Sequence, residues 1–149
     1  MQGMCFGIEI MPSTDCAKSS RVRLLLVDDD ERVLNQMSLL LSGEFEIAGR
    51  AHDGEQMVSD VERLNPDVIV ADISMPGLDG IDATRMILGR HPGALVILFT
   101  MHQESDVVHR ALEAGARGYV YKLRGVDDVI KAIHSVLRGE DFVSSGCLN

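Results

Sequence analysis

Aromatic residues are scarce in this 149-residue chain, with four Phe, two Tyr and no Trp. Its interior must therefore be aliphatic, packed from Leu, Ile, Val, Ala and Met. Cysteine is nearly absent as well. Cys5, Cys16 and Cys147 are odd in number, lie near the two ends and form no CxxC pair. That argues against a disulfide framework or a zinc site and for free thiols in a reducing compartment. No apolar run approaches the roughly 20 residues of a membrane-spanning helix. The N-terminus also lacks the basic segment followed by an apolar run that marks a secretory signal, so a cytoplasmic location is expected. Positive charge is in the minority: 14 Lys and Arg stand against 23 Asp and Glu, a net charge of −9. Phosphate backbones and anionic lipid are held by clustered basic residues. Neither direct nucleic-acid binding nor membrane association is expected of this chain.

What is present is a regular alternation that fits one domain. Residues 1–20 carry no period and read as a flexible N-terminal leader. The domain spans 21–142, and 143–149 reads as an unstructured C-terminal tail or the start of a linker. Val22 to Val27 is an apolar run ending in three aspartates. Val33, Leu34, Met37, Leu40 and Leu41 then fall on one helical face, with Asp30 placed to cap its start. Phe45 to Ala51 reads as a second strand, and Met57, Val58, Val61 and Leu64 mark a second helix that stops at Asn65-Pro66. Val68 to Ala71 is a continuous apolar run suited to a strand buried on both faces. Ala83, Met86 and Ile87 stripe a third helix, with Met37, Met57 and Met86 all read as packing. Ala94 to Phe99 reads as a central strand, and Val107, Val108, Ala111 and Leu112 stripe a fourth helix. Gly118 to Tyr121 is a short fifth strand, and Val126, Val129, Ile130, Ile133 and Leu137 define a fifth amphipathic helix. Five strand–helix units predict an α/β fold, a (βα)5 doubly wound five-stranded parallel sheet with flavodoxin-like strand order 2-1-3-4-5.

In such a sheet the ligand crevice lies outside the carboxyl ends of the strands, at the switch point between strands 1 and 3. Strand 1 ends in Asp28-Asp29-Asp30, strand 3 in Asp72, strand 4 in Thr100 and strand 5 in Tyr121-Lys122. Converging carboxylates repel unless a cation intervenes. A donor set with oxygen only, and no His or Cys, selects a hard ion: Mg²⁺, for which Mn²⁺ can substitute. An aspartate can act as nucleophile toward phosphorus, provided the transferred oxygens are neutralised. Asp72 is the candidate nucleophile, Asp29 a metal ligand and Asp28 a second, water-mediated support. Thr100 is placed to donate a hydrogen bond to the same group, and Lys122, the sole lysine between positions 19 and 130, to supply positive charge.

Leu25-Leu26-Val27-Asp28-Asp29-Asp30, Asp72-Ile73-Ser74-Met75-Pro76-Gly77-Leu78-Asp79-Gly80, Phe99-Thr100 and Gly115-Ala116-Arg117-Gly118-Tyr119-Val120-Tyr121-Lys122 carry a resemblance. Together they resemble the receiver domain of two-component response regulators, over residues 21 to about 140, and in particular the receivers of LuxR-type transcriptional regulators with a helix-turn-helix output. The resemblance implies that Asp72 accepts a phosphoryl group from the phosphohistidine of a sensor histidine kinase. It implies Mg²⁺ held by Asp29, Asp72 and the backbone carbonyl of Ser74, a switch pair of Thr100 and Tyr119, and a phosphoryl lifetime tuned at Ser74 and His102. Two positions depart from the family pattern. Leu123 follows Lys122 where Pro, often with a cis peptide, is usual. Met101 follows Thr100 where a small residue is usual, and a long thioether there would narrow access to Asp72.

Two enzyme readings compete. A nucleotide binder needs a Gly-rich or hydroxyl-rich turn after strand 1, and Asp-Asp-Asp-Glu there would repel phosphate. An Asp-nucleophile phosphatase usually carries a second Asp two residues on, and Ser74 stands there instead. The expectation is a signalling phosphoacceptor, not an enzyme, controlling transcription through an attached or partner output module. The alternative is a stand-alone receiver working by protein–protein interaction or as a phosphate sink. In either case, a homodimer or partner contact through the fourth helix, fifth strand and fifth helix is expected.

Overall fold

A computed structural model describes residues 21–147; the leader, with Cys5 and Cys16, lies outside the described residues. The strands are β1 (Arg23–Val27), β2 (Glu46–Ala51), β3 (Val68–Ala71), β4 (Val96–Thr100), β5 (Gly118–Tyr121) and β6 (Phe142–Val143). Between them run α1 (Glu31–Leu41), α2 (Gly54–Leu64), α3 (Gly80–Arg90), α4 (Ser105–Glu113) and α5 (Val126–Leu137), and a single 3-10 turn, Lys122–Arg124, follows β5. All strands pair in parallel, in the order β2-β1-β3-β4-β5-β6. The expected order is therefore present, with one strand more than the five expected.

Strict alternation along the strands splits the core into two layers. Leu24, Leu26, Val68, Val70, Ile97, Phe99 and Val120 pack against Leu34, Met37 and Leu41 of α1 and Val129, Ile133 and Val136 of α5. Leu25, Val27, Ile69, Ala71, Leu98 and Tyr119 face Met57 and Val61 of α2, Ile81 and Ile87 of α3, and Val108 and Ala111 of α4. With both faces covered, the central strands must be apolar throughout, which is why they read as unbroken runs.

Three of the helices that begin at the carboxyl edge of the sheet are started by aspartates. Asp30 accepts the Arg32 N–H, Asp53 that of Gln56 and Asp79 that of Asp82, each satisfying an otherwise orphaned first-turn donor. Gly80 ties α3 to the site. Its N–H donates to the Ile73 carbonyl at 2.9 Å, and a Cβ at this position would collide with the Asp72 carbonyl oxygen. Because backbone cannot swing aside as a side chain does, Gly80→Ala is expected to cost about 1–3 kcal/mol, read as a lower urea midpoint at unchanged slope.

Three expectations need correction. Leu40 is 52% exposed and Met86 42% exposed, so neither belongs to the core. Leu40 and Met86 each sit one residue, about 100° around the helix, from a true core position, Leu41 or Ile87. The reading of everything from Val143 onward as an unstructured tail also fails through Cys147. Phe142 and Val143 form β6 against Gly118 and Tyr119 of β5, and Ser144 and Cys147 are buried. Without them β5 would present an open row of unpaired backbone groups; a two-residue strand is too short to announce itself by period.

Candidate functional site

Strand register builds the site. β1 and β3 are neighbours with Val27 opposite Ala71, so the next residues, Asp28 and Asp72, emerge side by side. β4 and β5 are neighbours with Thr100 opposite Tyr121, which brings Lys122 out beside Thr100. Residues separated by up to 94 positions thus meet at one edge.

Asp28 and Asp72 are 2% and 7% exposed, while Asp29 is exposed. Each buried carboxylate divides its oxygens between a backbone amide and the lysine. Asp28 Oδ1 accepts the Asp30 N–H at 2.9 Å and its Oδ2 accepts Lys122 Nζ at 2.8 Å. Asp72 Oδ1 accepts the Ile73 N–H at 2.8 Å and its Oδ2 lies 3.4 Å from Lys122 Nζ. One carboxylate oxygen each from Asp28, Asp29 and Asp72 lies within 4.8 Å of the other two. The ammonium also stands 5.9 Å from the Phe99 ring centroid, a cation–π contact that supports it at the inner wall.

Burial pushes the Asp72 carboxyl above its ordinary range; Lys122 opposes this and the Asp28 charge adds to it. For Lys122, burial pulls the other way, but the hydrogen bond to Asp28 and the charges of Asp72 and Asp28 outweigh it, so the ammonium is held above the usual lysine value. Three carboxylates stand against one ammonium, which bonds only Asp28 and Asp72. The site is left with excess negative charge, and its only donors are oxygens.

Thr100 is fully buried at the end of β4, and its Oγ1 accepts the His102 N–H at 3.3 Å. Tyr119 is also fully buried, and its hydroxyl donates to the His102 carbonyl at 2.8 Å. Burial raises the Tyr119 phenol well above the usual tyrosine value, with Cys147 and Glu104 adding to it. Ser74 Oγ and His102 Nε2 lie 2.8 Å apart. The two residues that the resemblance assigns to tuning the phosphoryl lifetime therefore join the loop after Asp72 to the loop after Thr100. Met101 is 54% exposed and Leu123 72% exposed, so the two departures from the family pattern both present apolar side chains to solvent. The Lys122–Leu123 peptide is trans. The Ile73 amide, the Phe99 ring and the Ser74–His102 contact were not legible in the sequence, since each depends on three-dimensional placement of ordinary residue types. A pocket of ≈ 300 Å³ bounded by Val61, Asn65, Asp67 and His91 includes none of these site residues in its lining.

The family model of the response regulator receiver domain matches residues 24–134. The chain belongs to the response regulator receiver family. Among curated proteins, this receiver is 34% identical over 125 residues to the response regulator GacA of Pseudomonas viridiflava, covering 83% of this chain and 58% of that one. The chain thus spans less than two thirds of the length of that relative. Among solved structures, a LuxR-family two-component response regulator from Aurantimonas sp. SI85-9A1 superposes with a TM-score of 0.81 at 33% identity, covering 84% of this chain and 91% of that one. A CheX–CheY–BeF3⁻–Mg²⁺ complex from Borrelia burgdorferi gives a TM-score of 0.73 at 28% identity, covering 78% and 89%. No described helix is long and apolar enough to cross a membrane.

Proposed function

We propose that this receiver takes a phosphoryl group from a sensor histidine kinase onto Asp72 in a Mg²⁺-dependent reaction, and that the resulting change controls transcription through an attached or partner output module. The observation that carries the reading is the gathering of Asp28, Asp29 and Asp72 within 4.8 Å beside one ammonium. Such a cluster is costly unless its charge has a use.

The donor set fits a hard divalent cation. Asp29 is exposed and free to approach an ion from solvent, with Asp72 and the Ser74 carbonyl as the other protein ligands, Asp28 supporting through water, and Mn²⁺ as a substitute. When bound, Mg²⁺ draws negative charge from the phosphoryl oxygens. This chain's own residues do the rest. A carboxylate oxygen of Asp72 forms the new P–O bond as the P–N bond to the donor imidazole breaks; the imidazole leaves with the electron pair and takes up a proton. Lys122, already 3.4 Å from Asp72 Oδ2, pairs with a phosphoryl oxygen, and the Thr100 hydroxyl donates to another. Ser74 and His102, at the lip, govern the approach of the water that later hydrolyses the acyl phosphate.

The chemistry supports a switch and not a turnover enzyme. An Asp-nucleophile phosphatase usually carries a second Asp two residues beyond its nucleophile, and Ser74 stands there instead, 2.8 Å from His102. The relatives named GacA and DegU (a transcriptional regulatory protein) support a transcriptional output, and the acidic surface supports an output made without direct DNA contact by the receiver itself. A kinase-fed relay agrees with the cytoplasmic location expected of the chain. Acetyl phosphate with Mg²⁺ tests the reading: intact mass should show one phosphoryl group per chain, lost when a chelator removes the ion. Continuous phosphate release in large excess over protein would mark a phosphatase and overturn it.

A further inference from the structure

The start of α4 departs from the pattern of the first three helices. Its N-cap is Glu104, whose side chain bonds no first-turn N–H, although Asp30, Asp53 and Asp79 each do so for α1, α2 and α3. Glutamate is not among the residues favoured at an N-cap, where a short side chain must fold back onto the second or third amide. Glu104 turns instead to the preceding loop, and its Oε1 lies 3.3 Å from His102 Nδ1. A carboxylate only accepts, so this nitrogen carries the proton. The other ring nitrogen, Nε2, stands 2.8 Å from Ser74 Oγ. Three side chains, Glu104, His102 and Ser74, thus join the N-terminus of α4 to the loop after β3.

This bridge stands at the mouth of the site. Ser74 lies two residues beyond Asp72 and His102 two residues beyond Thr100, after the paired strands β3 and β4. Hydrolysis of an acyl phosphate on Asp72 needs a water that reaches phosphorus in line from the solvent side. The water oxygen forms the new P–O bond, the P–O bond to Asp72 breaks with its electron pair returning to the carboxylate, and the water proton leaves to solvent. Both nitrogens of His102 are already engaged, so the ring offers none to accept that proton. What it does offer is bulk, held across the gap between the two loops.

We propose, on the reading of Asp72 as the phosphoacceptor, that Glu104 is a positioning residue which holds the His102 ring against Ser74 as a shield, and that this shield lengthens the life of the phosphoryl group. The His102 and Glu104 side chains are both partly open to solvent, so a ring released from Glu104 is free to take up other rotamers. A contact of this exposure changes a rate a few-fold and not by orders of magnitude. The helix forgoes a side-chain cap to make it. A local rule left unmet beside a reactive group is where a functional use is expected.

Two substitutions separate positioning from helix capping. Serine is a good N-cap but cannot reach His102, whereas glutamine keeps an oxygen at the reach of glutamate. The full chain is phosphorylated with acetyl phosphate and Mg²⁺, the donor is removed, and the decay of the acyl phosphate is followed by intact mass. Glu104→Ser should shorten the lifetime by about threefold while the thermal midpoint stays the same or rises. Glu104→Gln should keep the lifetime of the unsubstituted chain. His102→Ala should shorten it by about tenfold, with no further loss when Glu104→Ser is added, because Glu104 acts only through the ring. An unchanged lifetime in Glu104→Ser would overturn the shield. So would a longer one, which would make His102 a base for the water. A shorter lifetime together with a lower midpoint would mark a loosened α4 and overturn the positioning role, as would a Gln variant that decays as fast as the Ser variant or an added loss in the double variant. If the unsubstituted chain takes up no phosphoryl group, the phosphoacceptor reading itself fails and the shield with it.

Discussion

Asp72→Asn is expected to take up no measurable phosphoryl group from acetyl phosphate and Mg²⁺, a fall of at least about 1,000-fold relative to the unsubstituted chain. The amide retains an oxygen for the Ile73 N–H, which Asp72 Oδ1 accepts at 2.8 Å, so the loop should keep its shape while the nucleophile is lost. Labelling equal to that of the unsubstituted chain, or found on another residue, would reject the assignment. The same variant should be more stable. Burial raises the Asp72 carboxyl, and the Asp28 charge adds to this against the opposing pull of Lys122. A carboxyl raised in the folded state contributes stability that is complete below its ordinary value of 3.8 and is lost as pH rises through the folded value. At neutral pH the Asp72 charge is therefore a cost, which Asn removes by about 1 kcal/mol. Urea unfolding in chelator at neutral pH measures the gain, and it should vanish as pH falls below the ordinary aspartate value.

Lys122→Ala should act oppositely on stability. The ammonium is within hydrogen-bond reach of both buried carboxylates, at 2.8 Å and 3.4 Å, and its removal leaves two charges uncompensated. Breaking a buried pair from one side costs about 2–4 kcal/mol once partial exposure of the lysine is allowed for. Without the lysine's opposing pull, Asp72 rises further, so the loss should be greatest at neutral pH and shrink as the carboxyl protonates. Millimolar Mg²⁺ should restore much of it by supplying the missing positive charge. Phosphoryl uptake should continue at a reduced rate. Unfolding curves with and without Mg²⁺, across the acidic and neutral range, check the first part, and intact mass after acetyl phosphate checks the second. A variant as stable as the unsubstituted chain in chelator would show that Lys122 does not hold the two carboxylates.

Much of this was legible in the chain. Val68 to Ala71 and Val96 to Thr100 read as buried strands because both faces of the sheet are covered, and that leaves a local, unbroken apolar signature. Asp30 read as a cap because the Ncap interaction reaches only two or three residues ahead. Leu40 and Met86 misled because a helix face is some 100° wide and a neighbour of a core residue lies at its margin; only the packed sheet decides where the margin falls. The hydrogen bond between Ser74 and His102 spans 28 positions and follows from no pattern in either segment.

The sequence by itself determined the alternation of strands and helices, the residues that end each strand, and hence the identity of the groups that meet at the carboxyl edge. Those properties are local, written in period and punctuation. The tertiary structure alone decided how the groups divide one another's charge. It placed Lys122 closer to Asp28 than to Asp72, left Asp29 in solvent, turned Tyr119 fully into the core, and laid Phe142–Cys147 along β5 as a sixth strand and its anchor. The reason is the same for each. Hydrogen bonds and ion pairs between distant residues are chosen by distance and burial after the sheet has formed, and no periodicity in the chain encodes them.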